Sequence, residues 1–200
     1  MRKLKISRIM LVALVLSGIS SVAGACEKHN GPATKSSTLP SASLYHLNSK
    51  WVNQENSPVH LNNLAGKPRI IAMVYTKCQT ACPLLVQDIK TMTTRIPKPL
   101  ADTLHIDLFS FDSNSENYKS LQDFKSKYKL DQNWSAYSGS KDSVAELAAA
   151  LGIQYKRLPS GDYIHSNVVF FVNEKGEVVA KHEGLGRDAS EFLKKIEGSL

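Results

Sequence analysis

The chain has 200 residues, a formal net charge of +7 and three cysteines, which fits one domain of ordinary size behind a leader, with a core that needs no disulfide framework. Four basic residues, Arg2, Lys3, Lys5 and Arg8, belong to that leader; the remaining +3 is spread along the chain without aromatic interleaving, which argues against nucleic-acid binding. There are no repeats, and the one glycine cluster, Gly184-Leu185-Gly186, lacks the fingerprint of a phosphate loop.

Residues 1–25 have the shape of a bacterial export signal: basic to Arg8, apolar over 9–16, then small and polar to Ala25. Ala23-Gly24-Ala25 offers a cleavage site, and Val22-Ala23-Gly24-Ala25-Cys26 looks like a lipoprotein processing site, with Ala23 where such sites usually carry Leu. Lipidation of Cys26 is the expected outcome. The alternatives are a secreted chain with Cys26 as its free first residue, and an uncleaved anchor. Residues 26–43, rich in Ser, Thr, Pro, Lys and Gly, read as a flexible tether, and 44–200 as the folded domain. The expected location is the bacterial cell envelope, held to the membrane through the N-terminus with the domain in the periplasm.

Within the domain, Leu44-Tyr45-His46-Leu47 and Trp51-Val52 suggest an N-terminal β-hairpin, and Val59-His60-Leu61 a further short piece. A buried strand over 69–75 is followed by a helix over 83–94 that Pro97 and Pro99 stop. A second strand over 104–111, a helix over 116–128, a short strand over 134–137 and a helix over 141–151 closed by Gly152 come next. Trp134 and Tyr137 are expected in the core. The strongest strand, 165–172, turns through Asn173-Glu174-Lys175-Gly176 into 177–181, and a last helix covers 189–196. This alternation predicts an α/β fold: a central mixed β-sheet flanked by helices, with an N-terminal β-hairpin extension.

The chemistry concentrates where the first central strand gives way to its helix, at Val74-Tyr75-Thr76-Lys77-Cys78-Gln79-Thr80-Ala81-Cys82-Pro83. Two thiols at i and i+4 lie on one side of a helical turn, close enough to share an ion or to oxidise. Pro83 suits a first helical turn, and a helix N-terminus favours thiolate over thiol. Both cysteines are expected in a surface loop where serine would leave the fold intact. A metal would need a third ligand. His29 lies in the tether, His46, His60 and His105 read as surface or edge positions, and His182 falls near the end of an exposed hairpin. His165 stands at the mouth of a central strand, where a side chain can face a site at the end of a neighbouring strand. Two thiolates and an imidazole suit copper, and also zinc.

These segments resemble the Sco/SenC family, thioredoxin-like copper-binding assembly factors of cytochrome c oxidase: a strand, Cys-x-x-x-Cys-Pro and a helix, with a histidine before a late strand, here His165-Ser166-Asn167-Val168. The resemblance covers roughly 57–200, and Phe111-Asp112-Ser113 matches the family's aspartate-bearing segment. It implies a thioredoxin-like fold and copper, as Cu(I) and Cu(II), bound by Cys78, Cys82 and His165. It also implies delivery to the dinuclear copper site of the oxidase, with its copper-receiving subunit as partner and a copper donor chaperone or thiol reductant as a second contact. Two departures stand out: Gln79 replaces the usual proline, and Ser113-Asn114-Ser115-Glu116 replaces a Pro-Glu-Arg-Asp type run. The first removes no ligand; the second bears on the partner surface.

The competing class is a thiol–disulfide oxidoreductase acting on cysteines of exported copper proteins. Its relatives use Cys-x-x-Cys and place a proline just before the late strand, whereas here three residues stand between Cys78 and Cys82 and Pro159 is too far upstream. A peroxidase would want threonine and arginine around Cys78, and Lys77 is the only adjacent cation. Asp112 is expected either to cap a turn or to stand behind the ligands or at a partner contact.

Overall fold

A computed structural model describes residues 39–199; the leader, Cys26, His29 and most of the tether lie outside the described residues. Among the described residues no helix is long and apolar enough to cross a membrane.

The sheet grows from three apolar strands, β3 (Arg69–Val74), β4 (His105–Ser110) and β5 (Trp134–Gly139), which run parallel in the order β5-β4-β3. Parallel neighbours need crossovers, supplied by helices α1 (Ala81–Thr93) and α3 (Tyr118–Lys127); a short α2 (Lys98–Ala101) follows Pro97. Helix α4 (Lys141–Leu151) starts at Ser140, whose side chain accepts the Ser143 N–H, and ends at Gly152 in the left-handed region. Antiparallel strands complete the sheet. The N-terminal hairpin β1 (Lys50–Asn53) and β2 (Pro58–His60) joins at β5, while β8 (Val168–Val172) and β9 (Val178–Glu183) join at β3. The order is β2-β1-β5-β4-β3-β8-β9, a thioredoxin-like mixed sheet. Every residue of β3 and β8 is buried, as strands covered by layers on both faces require. Helix α5 (Ser190–Glu197) packs on β9 through Phe192, Leu193 and Ile196.

Trp51 and Tyr137 anchor the hairpin end of the core: Phe109 meets Trp51 edge-on at 4.8 Å and stacks on Tyr137 at 4.7 Å. Trp134 is buried as expected. Opposite Trp51 in the ladder, Gly139 leaves the space the indole needs, since a Cβ there would lie 2.7 Å from Trp51 Cε3. One ion pair is enclosed in this core. Arg69 donates to Asp107 Oδ2 (2.7 Å) and to the Leu64 carbonyl (2.7 Å), and the Tyr137 hydroxyl donates to Asp107 Oδ1 (3.0 Å).

Three local expectations change. Leu44–His46 is a 3-10 turn, not a strand: Ser43 caps it, and the Leu44 N–H donates to the Gly176 carbonyl, so this segment docks on the β8–β9 turn. The true hairpin lies one step later, at β1 and β2. The strand expected over 165–172 divides at Ser166, and its first part forms a separate two-stranded ribbon, β6 (Tyr155–Arg157) with β7 (Tyr163–His165).

Candidate metal centre

Strand register brings the site together. β8 runs antiparallel to β3 with Ala72 opposite Val169, so the start of β8 lies beside the end of β3. The chain leaving β3 at Val74 turns through Thr76 and Lys77, closed by the Cys78 N–H on the Tyr75 carbonyl (3.1 Å), and enters α1 at Ala81. The chain arriving at β8 carries His165 at the end of β7. Ligand atoms of Cys78, Cys82 and His165 consequently lie within 4.8 Å of one another, the one such trio of cysteine, histidine or acidic groups among the described residues. A cleft of about 520 Å³ opens beside them, bounded by Tyr75, Lys77, Thr80, Asp162 and Tyr163.

Each donor is tuned by its backbone. Cys78 precedes the helix, and its Sγ sits over the first turn, where it accepts the Cys82 N–H (3.3 Å). Burial alone would raise its pKa. The amides of Cys82, Thr80 and Ala81 outweigh burial and hold the Cys78 thiol below the ordinary cysteine range. Cys82, at the second helical position, is fully buried, and burial pushes its thiol far up. The pair is reduced and asymmetric: helix amides favour the thiolate at Cys78, and burial favours the thiol at Cys82. Burial also keeps His165 below the ordinary imidazole value. With its Nδ1–H donating to the Ser166 carbonyl (3.2 Å), Nε2 presents a lone pair.

Aromatic rings wall the site. Phe111 lies 4.8 Å from the His165 ring, Tyr75 meets it edge-on at 6.2 Å, and Tyr163 packs on Tyr75 at 5.2 Å. Burial pushes the Tyr75 phenol up to about 12, with the Cys78 sulfur in hydrogen-bonding range adding to the rise. Nothing in the spacing of the aromatic residues pointed to this wall.

The expected surface loop is in fact enclosed: Cys78 is 5% and Cys82 0% exposed, because the sheet end and α1 close over them. Asp112 is buried, and its Oδ1 accepts the N–H groups of Asn114 and Ser115 and the Tyr163 hydroxyl (3.4 Å). Its Oδ2 takes the Ser115 hydroxyl. It therefore caps its loop and touches the ribbon that carries His165, without joining the ligand trio. His46 and His60 are exposed, and His105 pairs with Lys67 at the start of β4, a central strand rather than an edge. His182 departs from expectation. It is 8% exposed and packs against Phe192 beneath α5, because β9 turns alternate residues inward.

A thiol pair at a strand-to-helix junction, facing a histidine across a mixed sheet, defines a thioredoxin-like domain with a metal-type centre. Residues 42–200 match the SCO1/SenC family, and the chain belongs to it. The SCO1 protein homolog of Bacillus subtilis (strain 168) is 26% identical over 137 residues, 66% of this chain and 70% of that one. Arabidopsis thaliana ScoI, solved with copper bound, superposes with a TM-score of 0.66 at 16% identity, over 75% of this chain and 96% of its own. A SCO1/SenC family lipoprotein from Bacillus anthracis str. Ames gives 0.66 at 20% identity, over 74% and 90%.

Proposed function

We propose that this protein carries copper as cargo on Cys78, Cys82 and His165 and delivers it to the dinuclear copper site of cytochrome c oxidase during assembly. The observation that carries the proposal is the meeting of those three donors within 4.8 Å. Thiolates suit Cu(I), and the imidazole lets the same set hold Cu(II). Both shifts lean toward the ligating forms, thiolate at Cys78 and neutral imidazole at His165. Loading requires that the thiol protons leave, Cys82 holding its own most firmly, and a bound cation favours that loss. Family membership, and the copper bound in the Arabidopsis relative, support the choice of metal. In this proposal the signal at 1–25 is removed, Cys26 is lipidated and the tether over 26–43 keeps the domain in the periplasm near its membrane-bound acceptor, the copper-receiving subunit.

The test is cellular. Cells lacking the protein should assemble oxidase deficient in copper, and the wild-type gene should restore it while the Cys78→Ser gene should not. Oxidase with full copper content in the deletion strain would remove the delivery role. Intact mass of the membrane fraction checks the anchor: a lipid-sized excess over unmodified 26–200 is expected, and its absence would remove the lipid.

A second function, thiol–disulfide exchange on cysteines of exported copper proteins, is favoured by one observation: the split between a thiolate-prone Cys78 and a proton-holding Cys82. It separates cleanly from copper carriage, since a reductase keeps its activity when His165 is replaced by alanine.

A further inference from the structure

Beyond the ligand trio, the cysteine loop is tied to a second loop by groups that bear on no metal. Strand β3 ends at Val74, so the Thr76 N–H has no ladder partner. Both the N–H and the hydroxyl of Thr76 donate to one oxygen, Glu116 Oε1, at 3.3 and 2.6 Å. The adjacent Lys77 donates to Ser115 Oγ at 2.9 Å, which makes a two-residue clasp across almost forty positions of sequence. Glu116 is itself held, its N–H on the Asp112 carbonyl and the next residue, Asn117, capping α3.

The glutamate is an expensive choice for packing alone. Its Oε2 is buried with no well-formed hydrogen bond, only the Ser110 hydroxyl nearby, and such a group regains little of the water it loses. Burial pushes its pKa up in spite of the two Thr76 bonds. What the carboxyl supplies is a grip on two donors at the root of the turn. The turn then passes that constraint on, since the Cys78 N–H closes it on Tyr75 and the Cys78 sulfur receives the Cys82 N–H.

We infer that Glu116 is a positioning residue for the thiol pair: by holding both donors of Thr76 it fixes the 75–78 turn and the place of the Cys78 sulfur over α1. This deepens the copper-site proposal and rests on it for its purpose, since the grip keeps two thiols open for a metal. Closing the pair to a disulfide brings the sulfurs, now no more than 4.8 Å apart, to ~2.05 Å and drags Cys78 against the clasp. In that reaction an S–S bond forms, and the two thiols give two electrons and two protons to an oxidant such as the cyclic disulfide of dithiothreitol, which becomes the dithiol.

The experiment is the equilibrium of the full-length, metal-free protein with reduced and oxidised dithiothreitol. Loss of hydrogen bonds to a carboxylate should move the equilibrium about tenfold toward the disulfide in Glu116→Ala, and by a smaller factor, still above about twofold, in Thr76→Val, which loses only the hydroxyl's bond. The double variant should move no further than Glu116→Ala, because that change already removes both bonds, while Thr76→Val removes only the hydroxyl's and keeps the backbone N–H. Glu116→Gln, whose amide oxygen still accepts both donors, should stay within about twofold of wild type. Thr76→Val keeps the side-chain shape, so it carries the test if Glu116→Ala fails to fold. Both alanine and valine variants within about twofold of wild type, an additive double variant, or a glutamine variant shifted as far as alanine would each overturn the assignment. No copper enters the measurement, so a wild-type protein that binds no copper would defeat the proposed function and leave this result standing.

Discussion

Replacing each cysteine by serine should affect the fold unequally, and the reason lies in where each sulfur sits. Cys82 is 0% exposed and belongs to the core cluster with Leu85, Val86 and Ile89. A serine there trades the larger apolar sulfur for a smaller polar oxygen in a fully buried place, with the Tyr75 amide and the Cys78 sulfur as its polar neighbours, at about 1–3 kcal/mol. For a domain of this size each kcal/mol lowers the melting temperature by roughly 2–4 °C, so Cys82→Ser should melt roughly 2–12 °C below wild type. Cys78 differs, because its sulfur already accepts amides at the helix N-terminus, and a serine oxygen there accepts the same donors. Cys78→Ser should therefore stay within about 1 kcal/mol of wild type. The assay is thermal unfolding of the reduced, metal-free variants followed by circular dichroism. A Cys82→Ser protein that melts with wild type, or a Cys78→Ser protein that melts as low as Cys82→Ser, would refute the reasoning. The control also matters for copper: loss of metal in Cys82→Ser counts for a ligand role only at temperatures where the variant is folded.

Arg69→Met should leave the Asp107 carboxylate buried without its cation and lower stability by about 3–5 kcal/mol in denaturant titrations. Burial already raises the Asp107 pKa, and losing Arg69 raises it further, so the folded variant takes up a proton before the unfolded chain does; its deficit should shrink as pH falls. A loss below about 1 kcal/mol, or one that grows toward acid, would contradict this. Gly176 holds φ +84° under the docked N-terminal segment, and a Cβ there would lie 2.7 Å from Tyr45 Cδ2 and meet Ser43 Oγ. Gly176→Ala should lose about 2 kcal/mol or more, and a melt unchanged from wild type would show that the docking contributes little. Alkylation of the reduced protein with iodoacetamide should label Cys78 below the ordinary thiol pKa range and spare Cys82, because helix amides lower one thiol and burial raises the other. Peptide mass spectrometry reads the sites, and equal labelling of both would break the asymmetry.

Most of the architecture was legible because apolar runs and turn residues agree over 69–196. Helix α4 spans the expected 141–151 and ends where Gly152 predicts, and the strand-to-helix cysteine loop needed only Pro83 and the run before it. Leu44–Leu47 has a strand-like composition, yet the Gly176 carbonyl and the Ser43 cap draw it into a 3-10 turn; tertiary contacts decided it. The β6–β7 ribbon was hidden because its three-residue strands carry no sustained alternation, so His165 seemed to open the long strand when it closes a separate one. The identity of the third ligand came from family resemblance more than from the residue itself. Cysteine burial, the inward turn of His182 and the Thr76–Glu116 clasp depend on which elements pack together, and spacing along the chain does not encode that. Glu116 did stand in the 113–116 run that departs from the family pattern, the only signal that could have drawn attention to it.

The most direct test of the copper centre is stoichiometry and visible absorption of the reduced wild-type protein beside His165→Ala. One copper per chain is expected in the wild type in both oxidation states, with the Cu(II) form showing sulfur-to-copper charge-transfer colour. The alanine variant should retain Cu(I) on Cys78 and Cys82 and lose stable Cu(II) together with its colour. A wild-type protein that takes up no tightly held copper, or a His165→Ala protein whose Cu(II) binding and spectrum are unchanged, would contradict the Cys78, Cys82 and His165 assignment.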